Sequence, residues 1–391
     1  MIRMYNVLKI NKIAAIGTDR LGSNYNCADS VENPDAVLVR SAAMHDMEFG
    51  DNLLAIARAG AGTNNIPKDK CTEQGIVVFN TPGTNANAVK ELVLAGLLLS
   101  SRKIVEGIEW AKTLKGNGDA VAKMVEKGKS QFVGPEITGK TLGVIGLGAI
   151  GGMVANAAGR LGMDVYGVDP YLSVHNALVL SHNVKVLKTY DELFKKCDYI
   201  TMHLHLTDKT RGSIGKEAFD AMKKGVIVLN FSRGEIVDNA ALKEALDSGK
   251  VAKYVTDFPD PEVVKMKNVI ATPHLGASTG EAEENCAEMA AAEIRDYLEN
   301  GDIRNSVNLP DCDAGYMSST ARITIIHRNK PNMLSKFTQV IADEDINIAH
   351  LNNTSRGEYA YCVLDIDSVI PDGVVDKMNA IEDVIRVRVI R

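Results

Sequence analysis

The chain has 391 residues, of which 45% are hydrophobic and 24% charged, and it carries a formal net charge of −6. That length asks for about two or three domains, and the composition excludes a disordered or fibrous chain. The acidic balance argues against a nucleic-acid scaffold, and the longest apolar run, at 92–99, is too short to span a bilayer.

In chain order, apolar runs at 13–16, 36–39, 53–57 and 76–79 are bounded by Gly, Asn or Asp. They predict buried strands of a parallel α/β layer. A long helix is predicted over 88–110, then a Lys- and Gly-rich stretch (112–129) without strong periodicity. A second strand series follows at 142–145, 165–168, 199–203, 226–229, 254–257 and 269–271. Helical segments, including 149–161, 216–222 and 239–248, separate these strands, which is the pattern of a doubly wound sheet. A Glu- and Ala-rich helix at 281–298 has Gly301 to end it. Beyond 308–319 the character changes: strands at 322–327, 360–366 and 384–390 and a helix at 333–342 predict a separate small α+β domain. The N-terminal MIRMYNVLKINK has no signal-peptide core. The six cysteines form no CxxC pair, so reduced thiols in a soluble, cytoplasmic protein are expected.

The segment 139–169 carries GxGxxG at Gly146, Gly148 and Gly151, after an apolar strand and at the start of a helix. Glycines there permit a tight turn, backbone approach to a pyrophosphate and close helix–strand packing, and the helix N-terminus presents free N–H groups. The motif alone is weak; the flanking strand and helix and an acidic strand end make it specific. Asp169 lies about 20 residues after the turn, placed to accept the ribose hydroxyls and to repel a 2′-phosphate, so NAD is the expected cofactor.

Oxidising a secondary alcohol requires a base for the hydroxyl proton and a cation for the neighbouring carboxylate. Arg233 follows the strand at 226–229, Asp257 and Glu262 follow 254–257, and His274 follows 269–271. Ligands in doubly wound folds bind outside such carboxyl strand ends. Taken singly, Arg233 or Glu262 reads as a surface charge and His274 as a turn histidine.

GLGAIG, SRGEIVD, DFPDPE and TPHLGAST resemble the D-isomer-specific 2-hydroxyacid dehydrogenase family, over nearly the first 310 residues. The resemblance implies Arg233 on the substrate's carboxylate and carbonyl, His274 as acid/base, and Glu262 paired with it. Asp257 would face the nicotinamide carboxamide, and Ala149, Ile150, His203 and Ser232 would complete the cofactor set. The implied fold is a Rossmann-type doubly wound parallel sheet (89–278) inserted in a flavodoxin-like substrate domain (1–88 and 279–310).

VRSAAMHD, ARAGAGTNNI and NTPGTNANAVKELVL resemble the 3-phosphoglycerate dehydrogenases within that family. This implies Arg40 and Ser41 near a substrate phosphate, and the N–H groups around Gly60, Ala61 and Gly62, with Asn64, around the carboxylate. Successive N–H groups form an anion site in their own right. Ala42 stands where some relatives carry a second arginine, so another cation is needed. His205 stands where relatives have proline; His203 and His205 without a carboxylate or cysteine ligand are weak evidence for metal, and none is expected. The stretch between Glu262 and His274 is shorter than in many relatives.

The segment 320–391 resembles an ACT domain, a βαββαβ module that binds amino acids between copies. His327, Asn329 and Asn347 fall where bacterial relatives bind serine, which implies a serine effector. Other hydroxy acids (hydroxypyruvate, glyoxylate), a non-enzymatic NAD-binding corepressor and a vestigial amino-acid sensor are the competing readings. By resemblance a homodimer or homotetramer is expected.

Overall fold

Five short strands lie parallel in the order β2-β1-β3-β4-β5: β1 (Tyr5–Ile10), β2 (Tyr25–Ala28), β3 (Ala36–Val39), β4 (Ala55–Arg58) and β5 (Val77–Asn80). The computed structural model describes residues 3–391 and divides into two compact units, 1–85 with 280–391, and 86–279. The predicted strand at 13–16 is absent. Its place is taken by β1 upstream, and the chain there enters the helix Ala15–Asp19. That helix packs on Gly280–Asn300 so closely that a Cβ on Gly17 would lie 2.4 Å from the Ala287 carbonyl oxygen. The helical packing fixes the local structure, whatever the apolar run suggests.

The second unit holds seven parallel strands in the order β12-β11-β10-β9-β6-β7-β8. They are β6 (Thr141–Ile145), β7 (Asp164–Val168), β8 (Lys185–Val186), β9 (Tyr199–Met202), β10 (Val226–Asn230), β11 (Val251–Thr256) and β12 (Val269–Ala271). The order reverses at β6, the switch point at which such folds bind dinucleotides. β9 and β10 are buried throughout, as a sheet covered on both faces requires. The predicted helix over 88–110 is two helices, Ala86–Ser101 and Ile104–Thr113. The break lies where Gly134 crosses: a Cβ there would meet the Ser101 carbonyl oxygen at 2.3 Å.

The C-terminal residues form an antiparallel sheet, β14-β15-β13-β16, from β13 (Ala321–Arg328), β14 (Ile348–Arg356), β15 (Tyr359–Ile366) and β16 (Val384–Ile390). β14 has no buried residue, which is why no apolar run announced it. The period of two splits β13 and β15 cleanly, whereas the β13–β16 register shifts near Ile326. Ile323, Ile325, Cys362 and Leu364 pack against this sheet's own helices, Met333–Ala342 and Val374–Asn379. Ile326, Tyr361 and Val363 join the core of the five-stranded sheet, with Phe79, Ile294 and Tyr297.

Cations accompany that second face. Arg388 donates to the Leu298 carbonyl (3.0 Å) and Arg322 to the Asn300 carbonyl (2.6 Å), while Tyr361 Oη donates to Gly301 O (2.7 Å). The last carbonyls of Gly280–Asn300 have no partners within their own helix, and guanidinium groups there also meet the negative end of its dipole.

Candidate active site

In the 86–279 unit the glycine turn is built as its chemistry demands. Gly146 has φ +86°, and a Cβ on it would sit 2.5 Å from the His203 carbonyl oxygen. A Cβ on Gly151 would sit 1.9 Å from Gly146 O, whereas one on Gly148 would meet nothing within 4 Å. Two glycines thus serve packing and the third faces open space, where a pyrophosphate fits. Gly148 is the N-cap of the helix Ala149–Arg160, so Ala149, Ile150 and Gly151 form its first turn; no side chain caps those N–H groups. Asp169 takes the Leu147 N–H on one oxygen and the Tyr171 N–H on the other (2.9 Å each), which fixes the carboxylate at the end of β7. Each carboxylate oxygen retains acceptor capacity for a ribose hydroxyl. We expect Asp169→Ala to raise the KM for NAD about 10–150-fold, the equivalent of about 1.5–3 kcal/mol for hydrogen bonds to a charged group. A change under twofold in a titration of initial rates against NAD rejects that role.

Beyond β9 and β10, Ser232 Oγ donates to Met202 O (2.6 Å) and accepts the Leu204 N–H (3.2 Å), tying the two strand ends together. Buried Asn230 accepts the Ser232 N–H and donates to Arg233 O (2.8 Å) and Tyr254 Oη (3.1 Å). The loop carrying Arg233 is thereby held rigid while its guanidinium stays exposed, 5.8 Å from the Phe258 ring centroid. The same ring lies 4.5 Å from the ring of His274. Phe258 therefore links the cation and the imidazole.

Asp257 is 1% exposed; one oxygen accepts the Gly276 N–H (2.9 Å) and the other, Oδ1, is buried without a partner. Burial raises its pKa, opposed first by the Gly276 N–H and then by His274. An orphaned acceptor at the same end of the sheet as the glycine turn suits a carboxamide N–H₂, so these residues fit a nicotinamide dinucleotide. His203 is held neutral, its pKa pushed down to about 3 by burial; its Nε2 meets Thr201 Oγ1 at 3.1 Å and its Nδ1 is unpartnered. His205 is exposed in the loop beyond β9, and no group of three or more His, Cys, Asp or Glu able to hold a metal occurs among the described residues.

Glu262 differs from the arrangement expected of it. Its carboxylate is exposed and pairs with Lys265 at 3.0 Å, and its backbone N–H is taken by Asp260 Oδ1. The short stretch to β12 ends Asp257–Glu262 in a turn that Asp260 organises, also accepting from Val263 N and Asn239 Nδ2. The carboxylate that feels His274 is that of Asp257, whose pKa the imidazole lowers against the effect of burial.

In the other unit, Arg40 and Arg58 end neighbouring strands, in a register that pairs Val39 with Arg58. Arg58 Nε donates to the Arg40 carbonyl (3.0 Å), and a Cβ on Gly60 would lie 2.3 Å from Arg58 Nη1. Arg58 is thus the second cation near Arg40, the one that Ala42 cannot supply. Arg40 itself is bound to Glu283 at 2.6 Å. The Ser41 and Ala42 N–H groups are taken by Asn11 Oδ1, and Asn64 O meets His45 Nε2. The loop of Gly60, Ala61 and Gly62 is anchored through its carbonyls: Thr81 N donates to Gly60 O (3.2 Å) and Asn80 Nδ2 to Ala61 O (2.6 Å). The Gly60 N–H is also taken, by Arg58 O (2.8 Å), so the N–H groups of Ala61 and Gly62 are what the loop has left to offer an anion.

In the C-terminal sheet, His327 is 2% exposed, bonded to Arg328 O and Asn353 Oδ1, with its ring against Phe337. Asn329 follows the end of β13, bonded to Gly357 O. Asn347 precedes β14, which runs parallel to β13 because each is antiparallel to β15 between them. His327 and Asn329 therefore stand at one end of the sheet and Asn347 at the other. One copy does not bring the three together.

Residues 94–276 match the D-isomer specific 2-hydroxyacid dehydrogenase NAD binding domain, and residues 323–386 match the AHAS small subunit-like ACT domain. The chain is 39% identical over 289 residues to a D-3-phosphoglycerate dehydrogenase of Archaeoglobus fulgidus, covering 71% of this chain and 52% of that protein. It is 32% identical over 355 residues to one of Haemophilus influenzae, covering 88% and 83%. The chain spans about half the length of the Archaeoglobus relative and most of the Haemophilus one. A cofactor (NAD+)-bound 3-phosphoglycerate dehydrogenase of Entamoeba histolytica superposes with a TM-score of 0.60 at 27% identity, over 78% of this chain and 99% of that one.

Proposed function

The chain belongs to the D-isomer specific 2-hydroxyacid dehydrogenase family, and we propose that it oxidises 3-phosphoglycerate to 3-phosphohydroxypyruvate, the first step of serine biosynthesis. The observation that carries this reading is the single ring of Phe258 in contact with both Arg233 and His274, at the sheet end that also carries the glycine turn. NAD, when bound, accepts the hydride. Arg233 holds the substrate carboxylate with two parallel N–H···O bonds, a geometry that fixes the plane of the reacting carbon. His274 takes the hydroxyl proton on an imidazole nitrogen, and Asp257 supports the imidazolium so formed. In this reading Glu262 plays that supporting role only by leaving Lys265.

Arg40 and Arg58 favour a phosphorylated substrate, and the Gly60–Gly62 loop with Ser41 and Asn64 nearby favours an anionic one. Removing either arginine costs a charge-assisted bond of about 1.5–3 kcal/mol, so Arg40→Ala and Arg58→Ala each raise the KM for 3-phosphoglycerate about 10–150-fold. Oxidation of unphosphorylated D-glycerate is left nearly as it was. An equal loss on both substrates, measured by NADH absorbance, removes the phosphate assignment.

Serine is the effector this reading assigns to the C-terminal module, in keeping with end-product feedback. Since Asn347 lies at the far end of the sheet from His327 and Asn329, such a site draws on two copies. A homodimer or homotetramer is also favoured by the helices Ile104–Thr113 and Val121–Gly128, which bury no residue within the chain and expose Ile104, Ile108 and Met124. No helix among the described residues is long and apolar enough to cross a membrane, in keeping with action in the cytoplasm.

A further inference from the structure

One buried carboxylate is used by none of the chemistry above. Glu293 lies in the helix Gly280–Asn300, 7% exposed; its Oε1 accepts from Asn305 Nδ2 at 2.8 Å, and its Oε2 is buried without a partner. Asp296, on the same helix, and Asp311, from the loop beyond Asn308, face it with like charge. Among the described residues no cation pairs with it.

What Asn305 does with its other groups gives this carboxylate a reach. Asn305 stands at φ +57°, and its carbonyl accepts the Asn80 N–H at 3.4 Å. The next residue, Ser306, bridges Phe79, and Val307 N donates to Val78 O at 2.9 Å, so this segment extends the five-stranded sheet beside β5. Asn80, at the end of β5, is the residue whose side chain donates to the Ala61 carbonyl. The hydrogen bonds therefore run from Glu293 to Asn305, through the Asn80 backbone, and from the Asn80 amide to the loop of Gly60–Gly62.

We infer that Glu293 is a positioning residue for the substrate's anion loop, acting through Asn305 and Asn80 on the carbonyl of Ala61. The inference rests on that loop binding the substrate carboxylate, as proposed above. Burial first, then the two aspartates, raise the Glu293 pKa to about 8, with the Asn305 hydrogen bond opposing. Near neutral pH the side chain is uncharged and holds Asn305 in place. Above that value an unpaired charge appears on an oxygen with no donor, and the segment relaxes toward water. The sign follows: a carboxyl whose folded pKa lies above its unfolded one favours the ordered state at low pH, and that advantage falls away as pH rises through the folded value.

The test is calorimetric titration of the full chain with 3-phosphoglycerate, from about pH 6.5 to about pH 9.5, with KM and kcat measured alongside. We expect wild-type affinity to fall about 5–10-fold across pH 8 with kcat changed less than about twofold by the same step, the size of a typical coupling between sites. Glu293→Gln cannot ionise and is expected to flatten that fall. Asn305→Gly, which keeps the left-handed backbone but cuts the link, gives weakened binding that no longer depends on this step. A Glu293→Gln variant that retains the wild-type pH dependence overturns the role of Glu293 and leaves the loop assignment standing. Absence of binding by the wild type at every pH overturns both.

Discussion

Replacing His274 with asparagine lowers the rate of alcohol oxidation by about 10²–10⁴-fold, the contribution expected of a positioned general base. The KM for NAD stays within about twofold, because the glycine turn and Asp169 do not depend on the imidazole for their geometry. Asparagine keeps a polar side chain of similar reach, so the loss reports proton transfer and not a collapsed loop. Added imidazole restores part of the rate where a cavity beside Phe258 admits it. Steady-state rates with and without imidazole check both statements, and a kcat within about threefold of wild type rules out His274 as the base.

The second large effect concerns stability. Arg322 is fully buried; its Nε meets Asp365 Oδ1 at 2.6 Å and its Nη2 meets Oδ2 at 3.0 Å, while Nη1 donates to the carbonyls of Asn300 and Gly315. Arg322→Ala leaves Asp365 buried without its cation and Asp302 with Arg304 alone, and removing one partner of such a pair costs about 3–5 kcal/mol. Arg322→Met with Asp365→Leu removes both charges, and the pair recovers most of that loss. Trp110, the only tryptophan, lies in the 86–279 unit, which also holds five of the eleven tyrosines, so the other unit is followed by hydrogen exchange of its own peptides. In urea, exchange of peptides from 1–85 and 280–391 shifts to lower denaturant in the alanine variant, while the tryptophan transition holds its place. Coincident, unshifted transitions contradict the assignment.

Much of this molecule was legible in its residues because the constraints are local. A dinucleotide turn needs glycine at fixed spacing, and β9 and β10, buried throughout, read as unbroken apolar runs, while β6, β7, β11 and β12 overlap the runs predicted for them although β12 is not buried. β1 and β2 were hidden because their outward residues are polar or half-exposed, leaving no run to find. Arg58 carried a signal of its own: it stands at a carboxyl strand end, one strand over from Arg40. The direction of Glu262 was beyond reach, since it depends on how Asp260 folds the turn and on Lys265 competing for the carboxylate. The separation of Asn347 from Asn329 likewise follows from strand order, which spacing along the chain does not encode.

The arginine clasp at the end of Gly280–Asn300 also bears on how the chain acquires its structure during synthesis. The 86–279 unit is continuous and can close on itself as soon as it has emerged. The five-stranded sheet is made first but must wait for that helix, and the helix in turn waits for Arg388, translated later still. A ribosome stalled before β16 should therefore carry a nascent chain with a protease-resistant middle and a digestible beginning.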